Sequence, residues 1–426
     1  MKRKFLIVSF IVLGLYGAFF FWYLFISHQD VIQPEDIGSS IDPSTFMTDR
    51  EQELSQQYSK VRDFLFFLGI PYEWLFYSIL LIFGISQGWE KWAEKISKTR
   101  VVQIILFCLS LSVTTYVVFY PLRFIRYTLS KSYNISTQSF SSWMRDGIID
   151  FWIESLTTFI IVMAFFWLLK KFPNKWWFFG WLITVPVVIF YMFIQPVLID
   201  PLYNDFYPLK NKELESKILE LASMANIPAE HVFEVNMSEK TNALNAYVTG
   251  IGSNSRIVLW DTTLNRLNEE EILFIMAHEM AHYVEKHIYI GIAGYLIFSL
   301  FVFYLLAKIL KWVITRYGKA LNIHSLTSLS VYPLVLLIFS VLLFMSSPFE
   351  NAISRYQEMR ADRYAIELTK DAEAGVSTFQ KLTKSGLSQV DPPLLVKWFR
   401  YGHPTMKERI LMVEEYKEMN SHYNED

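Results

Sequence analysis

Cysteine is nearly missing from this chain: Cys108 is the one example among 426 residues. An intrachain disulfide and a Cys-rich zinc site are therefore excluded. Cys108 lies inside an apolar run, where it reads as a small buried hydrophobe. Charge is also sparse. Charged residues make up 19% of the sequence and the formal net charge is −2, which removes any general electrostatic case for nucleic acid as a partner. No internal repeat and no low-complexity tract is present. What abounds is apolar and aromatic sequence, 53% and 17% respectively. Length alone allows about two or three domains, but this composition, with its positive mean hydropathy, argues for a membrane protein.

The apolar residues fall into runs of bilayer-spanning length. A basic Met1-Lys2-Arg3-Lys4 start leads into Phe5–Ile26, which reads as an uncleaved anchor because no small-residue cleavage site follows it. A polar stretch, His28 to Asp63, comes next; its first half reads as loop and Glu51–Arg62 as a short helix. Further spans are expected near Phe64–Ser86, Val101–Leu122, Ile149–Leu169, Trp176–Ile199, Ile288–Leu310 and Leu326–Met345, giving seven in all. Pro186 and Pro196 should kink the fifth or mark its end.

Lys and Arg concentrate on alternate loops. Met1-Lys2-Arg3-Lys4, the loop with Lys91, Lys95, Lys98 and Arg100, the loop with Lys170, Lys171 and Lys175, and the loop with Lys311, Arg316 and Lys319 all lie on one side. By the positive-inside rule that side, with the N-terminus, is cytoplasmic. The large polar stretches then face out of the cytoplasm, and the location is a cell membrane crossed several times.

Asp200–Lys286 is polar and mixes periods. Leu214, Ile218 and Leu221 share one face of a helix over Leu209–Ala225. His231–Met237, Ala243–Gly250 and Arg256–Trp260 alternate like strands, the last two joined by a turn-rich Ile251–Ser255. The unit ends in a helix that carries His278-Glu279-Met280-Ala281-His282 and is expected to run on into the sixth span. Asn268 with Glu271 marks its start as a capping box. Residues four apart share a helical face, so His278 and His282 can present two imidazoles to one metal ion. Glu279 stands beside that ion, where a carboxylate can take a proton from water. Two surface histidines on an ordinary amphipathic helix would give the same letters, so a third ligand is needed.

Past the seventh span, Glu358 and Asp362 again share a helical face. Glu358 completes a His/His/Glu zinc set with one position left open, and Asp362 can accept the spare N–H of a ligand imidazole. Alone, such a pair reads more readily as a solvated charged face. His287 follows the motif, but the longer three-histidine protease pattern fails at Glu285 and Ile288. His403, in Gly402-His403-Pro404-Thr405, is either a surface histidine or a donor to a developing oxyanion. Arg409 either assists it or pairs with Glu358 or Asp362.

Taken together, these residues resemble the integral-membrane zinc metalloproteases typified by CAAX prenyl protease 1, and the loops and anchor resemble a bacterial member. The resemblance spans nearly the whole chain. It includes the HExxH motif, Asn351-x-x-Ser354-Arg355-x-x-Glu358-x-x-Ala361-Asp362, Asn245-Ala246-Tyr247, Arg256–Leu259 with Asp261-Thr262, and His403-Pro404 with Arg409-Ile410. It implies one zinc per chain on His278, His282 and Glu358, with Glu279 as general base. It implies that His403 and Arg409 stabilise the transition state and that Asp362 and Arg355 stand behind the ligands. A substrate extended along Asn245 and Ala246 is implied as well.

The expected fold is mainly α, a seven-helix transmembrane protein with a small α+β zinc protease domain split around the last two spans. Its parts are 1–199 and 288–345 in the membrane, and 200–287 and 346–426 in the protease. The expected partners are the lipid bilayer and a peptide or protein substrate, membrane-embedded or lipidated, and no nucleic acid. The rival enzyme is a broad-specificity protease for damaged membrane proteins. From another class, a receptor or transporter with a relic site would require charged residues lining a path through the spans.

Overall fold

A computed structural model describes residues 2–27, 33–228, 231–249, 256–323 and 325–423. The first half comprises α1 (Lys2–Phe21), α2 (Asp49–Ile82), α3 (Ile85–Ile96), α4 (Arg100–Ser132), α5 (Phe140–Lys171) and α6 (Trp176–Ile194). Then come β1 (Phe206–Pro208), α7 (Lys212–Met224), β2 (Val232–Val235), β3 (Ala246–Thr249), β4 (Arg256–Trp260), α8 (Asp261–Arg266) and α9 (Glu269–Val284). The chain closes with α10 (His287–Leu321), α11 (Tyr332–Thr369), α12 (Ala372–Gly386), α13 (Leu394–Arg400) and α14 (Met406–Tyr423). The connector expected at Ile251–Ser255 lies outside the described residues, as do 28–32 of the first loop.

Helix is the form that lets an apolar segment satisfy its own backbone polar groups away from water. Six helices among the described residues are long and apolar enough to cross a membrane: α1 with its continuation to Ser27, α2, α4, α5, α10 and α11 with the turn before it. The expected fifth span falls on α6, whose apolar described part, Trp176–Phe190, is shorter. Side chains such as Phe10, Leu15, Ile160, Ile297 and Phe301 are exposed along these helices, a surface suited to lipid rather than water. Cys108 is buried among them.

Several helices overrun their expected ends. Glu51–Arg62 is the outer part of α2 rather than a separate helix, because a Thr48–Glu51 capping box starts the helix before the apolar run begins. Most of the expected seventh span and the Glu358/Asp362 face belong to one helix. α11 continues through Pro348, which sacrifices a backbone hydrogen bond without ending the helix. Conversely, the expected continuity from the HExxH helix into the sixth span fails. Lys286 adopts a left-handed conformation, φ 58°, and the chain restarts as α10 at His287.

Apart from the long apolar helices, the chain builds a unit on a four-stranded sheet of order β1-β2-β4-β3. β1–β2 and β3–β4 are antiparallel and β2–β4 is parallel, with Ala246 opposite Leu259. β3 is an edge strand. β1 escaped the sequence reading because a three-residue strand ending in Pro208 has no readable alternation. Leu214, Ile218 and Leu221 of α7 enter the same core as the sheet, α9, the end of α11, α12 and α14. Close approach of α12 to α9 depends on Gly375, where a Cβ would come within 2.9 Å of the Phe274 ring. One core therefore unites segments on either side of α10 and the membrane part of α11.

α9 is anchored at its start by Glu271. This buried carboxylate accepts from the Asn268 backbone N–H at 2.8 Å, the Ser377 hydroxyl at 2.5 Å and Lys381 Nζ at 2.7 Å. Burial pushes its carboxyl up, but these donors outweigh burial and hold it below the ordinary carboxylate value. Glu271→Ala should cost about 1–3 kcal/mol of stability near neutral pH, read by thermal or denaturant unfolding in detergent. Because the folded-state value is depressed, the wild-type advantage is full above about pH 4–5 and should be lost as pH falls below that range.

Candidate metal centre

The site forms where α9 packs against the C-terminal part of α11. The capping box sets the start of α9, and helical spacing then puts His278 and His282 on the side facing α11, while Glu279, one residue on, borders the adjoining cavity. Glu358 and Asp362 come from the facing turns of α11, and both are buried.

His278 Nε2, His282 Nε2 and the Glu358 carboxylate converge. The two nitrogens are 3.3 Å apart, His278 Nε2 lies 3.2 Å from Glu358 Oε2, and His282 Nε2 lies 3.5 Å from Glu358 Oε1. Tetrahedral zinc with bonds near 2.0–2.2 Å separates its ligand atoms by about 3.3–3.6 Å. The donor set thus has the right spacing, and this is the group of His and acidic residues among those described whose atoms could share one ion.

The tautomers follow from what lies behind the ligands. His278 Nδ1 is 2.7 Å from Asp362 Oδ1, so Nδ1–H donates to the carboxylate and Nε2 presents its lone pair. Asp362 is fully buried and also receives both arms of Arg409, Nε at 2.8 Å and Nη2 at 2.5 Å. Of the roles open to Arg409, pairing is the one the geometry gives, and its partner is Asp362. The guanidinium also stacks over Phe379 at 4.1 Å.

His282 has a support that the sequence did not reveal. Its Nδ1 lies 3.0 Å from Nδ1 of His287, whose Nε2 lies 3.1 Å from Glu285 Oε2; Glu285 is in turn paired with Arg360. A carboxylate can only accept, so His287 carries its proton on Nε2 and accepts at Nδ1 from His282. That leaves the Nε2 lone pair of His282 free for a metal. His287 is no third ligand, as its spacing indicated. The left-handed Lys286 that breaks the helix is what precedes and positions it, and no sequence pattern announced that break.

His403 lies on the loop between α13 and α14, with Nδ1 2.9 Å from Glu358 Oε2; its side chain is 63% exposed. The other ring nitrogen is not used in that contact. Arg355 does not stand behind the metal ligands. It donates to the carbonyls of Lys397 at 3.0 Å and Tyr401 at 2.7 Å, while Asn351 Nδ2 donates to the Trp398 carbonyl at 2.9 Å. These residues fix the segment that carries His403, because α11 faces α13 as well as α9.

Burial pushes the carboxyl of Glu279 up; His278 pulls it partly back and Glu358 adds to the rise. Burial, with His278 alongside, pushes His282 down to about 4, keeping it neutral. Glu279 and His278 line a cavity of about 390 Å³ whose walls also include Asn245, Ala246 and His403. Asn245 is held by exchanged bonds with the Thr263 hydroxyl, 2.9 and 2.8 Å, so the edge strand meets the cavity in a fixed register.

Comparison with known proteins adds the following. Residues 208–417 match the model of peptidase family M48, and residues 23–205 match one described as CAAX prenyl protease N-terminal, five membrane helices. The uncharacterized metalloprotease YhfN of Bacillus subtilis (strain 168) is 53% identical over 100% of both chains. A CAAX prenyl protease 1 homolog of Arabidopsis thaliana is 24% identical over 93% of this chain and 96% of that one. The crystal structure of S. mikatae Ste24p superposes with a TM-score of 0.79 at 22% identity, covering 95% of this chain and 96% of the other; the two share a fold.

Removing the support behind a ligand should loosen the metal without removing a ligand. His287→Ala is expected to weaken zinc binding by about ten- to a hundredfold, measured by competition with a chelating dye. Unchanged affinity would make the His282–His287 contact incidental. Glu358→Ala should lower metal content well below one ion per chain by elemental analysis, and full occupancy would reject Glu358 as a ligand.

Proposed function

We propose, from the premise that this chain belongs to peptidase family M48 and is a membrane metalloendopeptidase, that it cleaves peptide bonds with one zinc ion held by His278, His282 and Glu358 and with Glu279 as general base. The observation that carries this reading is the 3.2–3.5 Å triangle of ligand atoms with Glu279 on the wall of the adjoining cavity. When bound, the metal would acidify water and polarise the scissile carbonyl.

The chain's own residues do the rest. Glu279, with its carboxyl raised by burial, accepts a proton from the attacking water and passes it to the leaving amine. A base poised nearer neutrality can do both. His403 donates to the oxyanion through the nitrogen that Glu358 does not engage. Arg409 acts through Asp362, holding His278 in the ligating tautomer. The substrate pairs with the open edge of β3 at Asn245 and Ala246, since an unpaired edge offers backbone donors and acceptors at a fixed spacing.

In this reading α6 joins the six longer helices as a seventh span. The chain then divides into membrane parts 1–199 and 288–345 and protease parts 200–287 and 346–426. The basic loops place the N-terminus in the cytoplasm and the active site outside it. The substrate is a peptide or protein delivered from the bilayer, membrane-embedded or lipidated. The M48 match and the complete donor set favour an enzyme over a receptor or transporter. Cleavage of farnesylated against unmodified peptides separates a CAAX-type specificity from broad clearance of damaged membrane proteins.

Glu279→Gln is expected to retain zinc and lose about 10²–10⁴-fold in kcat, in a chelator-sensitive peptide-cleavage assay on the purified protein. Wild-type turnover by that variant would remove Glu279 as the base.

A further inference from the structure

Polar side-chain atoms that are buried without a partner are uncommon in folded proteins, and each needs a reason. Three of them share the cavity that holds Glu279. Arg62 Nε, Thr378 Oγ1 and the Tyr401 hydroxyl have no hydrogen-bond partner among the described residues, and all three residues line that cavity. Arg400 lines it too.

The pairing there is incomplete: Asp63 Oδ2, like Arg62 Nε, is buried without a hydrogen-bond partner among the described residues. Asp63 is fully buried and is paired with Arg400. Arg62 reaches the same carboxylate only at 3.8 Å, and its guanidinium stacks over the Tyr58 ring at 5.3 Å. Two guanidinium groups therefore share one carboxylate beside a cavity open to substrate. A partly buried guanidinium prefers a second, hydrogen-bonded anion, and its fork suits a carboxylate.

We infer that Arg62 and Arg400, with the Tyr401 hydroxyl, form a subsite for a carboxylate of the peptide substrate. The inference rests on the peptidase reading above and gives the site an electrostatic preference. Pairing along β3 is blind to side chains, so it fixes the peptide's direction and depth without choosing a sequence. A carboxylate seated on Arg62 would choose. Two sources offer that group, the free C-terminus of a peptide and an acidic side chain.

The test uses the full-length, zinc-loaded protein and three peptides of otherwise equal sequence: a free acid, its carboxamide, and a carboxamide carrying Glu near the end. A charged hydrogen bond of this kind should raise kcat/KM by about ten- to a hundredfold for at least one acid form over the neutral amide, mostly through KM. Preference for the free acid alone identifies the C-terminus as the source, and rescue by Glu identifies a side chain. Arg62→Gln should bring the acid-to-amide ratio towards one; it leaves the Asp63–Arg400 pair in place. Equal cleavage of all three peptides by the wild type would overturn this inference and leave the peptidase reading standing. Cleavage of none would overturn both. A ratio unmoved by Arg62→Gln would also overturn it.

Discussion

The carboxylate of Asp362 is the joint on which the site depends. It accepts from His278, 84 residues earlier, and from Arg409, 47 residues later. Three segments are thereby tied at one buried point: the HExxH helix, the C-terminal part of α11 and the C-terminal helix. An ion pair this deep is tolerated only when every partner is satisfied. Here both carboxylate oxygens are used, and the guanidinium rests on Phe379. The same contact that closes the core also fixes which nitrogen of His278 faces the metal position, so folding and chemistry share one hydrogen bond.

The two histidines of HExxH are oriented by different means. His278 leans on a carboxylate braced by an arginine. His282 leans on a second imidazole, His287, braced by Glu285 and Arg360. The first support lies deep and the second nearer the surface, which follows from where α9 enters and leaves the core. α11 serves three purposes along its length: an apolar span, a source of Glu358 and Asp362, and, through Asn351 and Arg355, the grip on the His403 segment. Pro348 leaves that helix unbroken, so the ligands and the membrane part form one rod.

Much of this was legible in the sequence, for physical reasons. HExxH and the Glu358/Asp362 pair depend only on helical period, and the Asn268–Glu271 box on local capping. The positions of the long apolar helices follow from hydropathy, and the run Trp176–Ile199 is helical from end to end. What escaped was set by tertiary contact. A left-handed Lys286 cannot be read from Glu285-Lys286-His287, so the role of His287 stayed hidden behind its failure as a ligand. Arg355 sits in the same motif and on the same face of α11 as Glu358 and Asp362, one to two turns earlier, and only packing shows that it holds the segment leading to His403. In the sequence Arg62 is one of several charges near the end of a polar stretch. Its significance comes from a cavity lined by segments hundreds of residues away.

The central claim is that two imidazoles and one carboxylate, brought together by the packing of α9 on α11, bind one zinc ion with a position left open. Zinc-edge X-ray absorption on the metal-loaded protein tests it most directly. A four-coordinate shell of light atoms at about 2.0–2.2 Å, with the outer-shell scattering of two imidazoles, is expected. A six-coordinate shell, or a sulfur neighbour at about 2.3 Å, would contradict it.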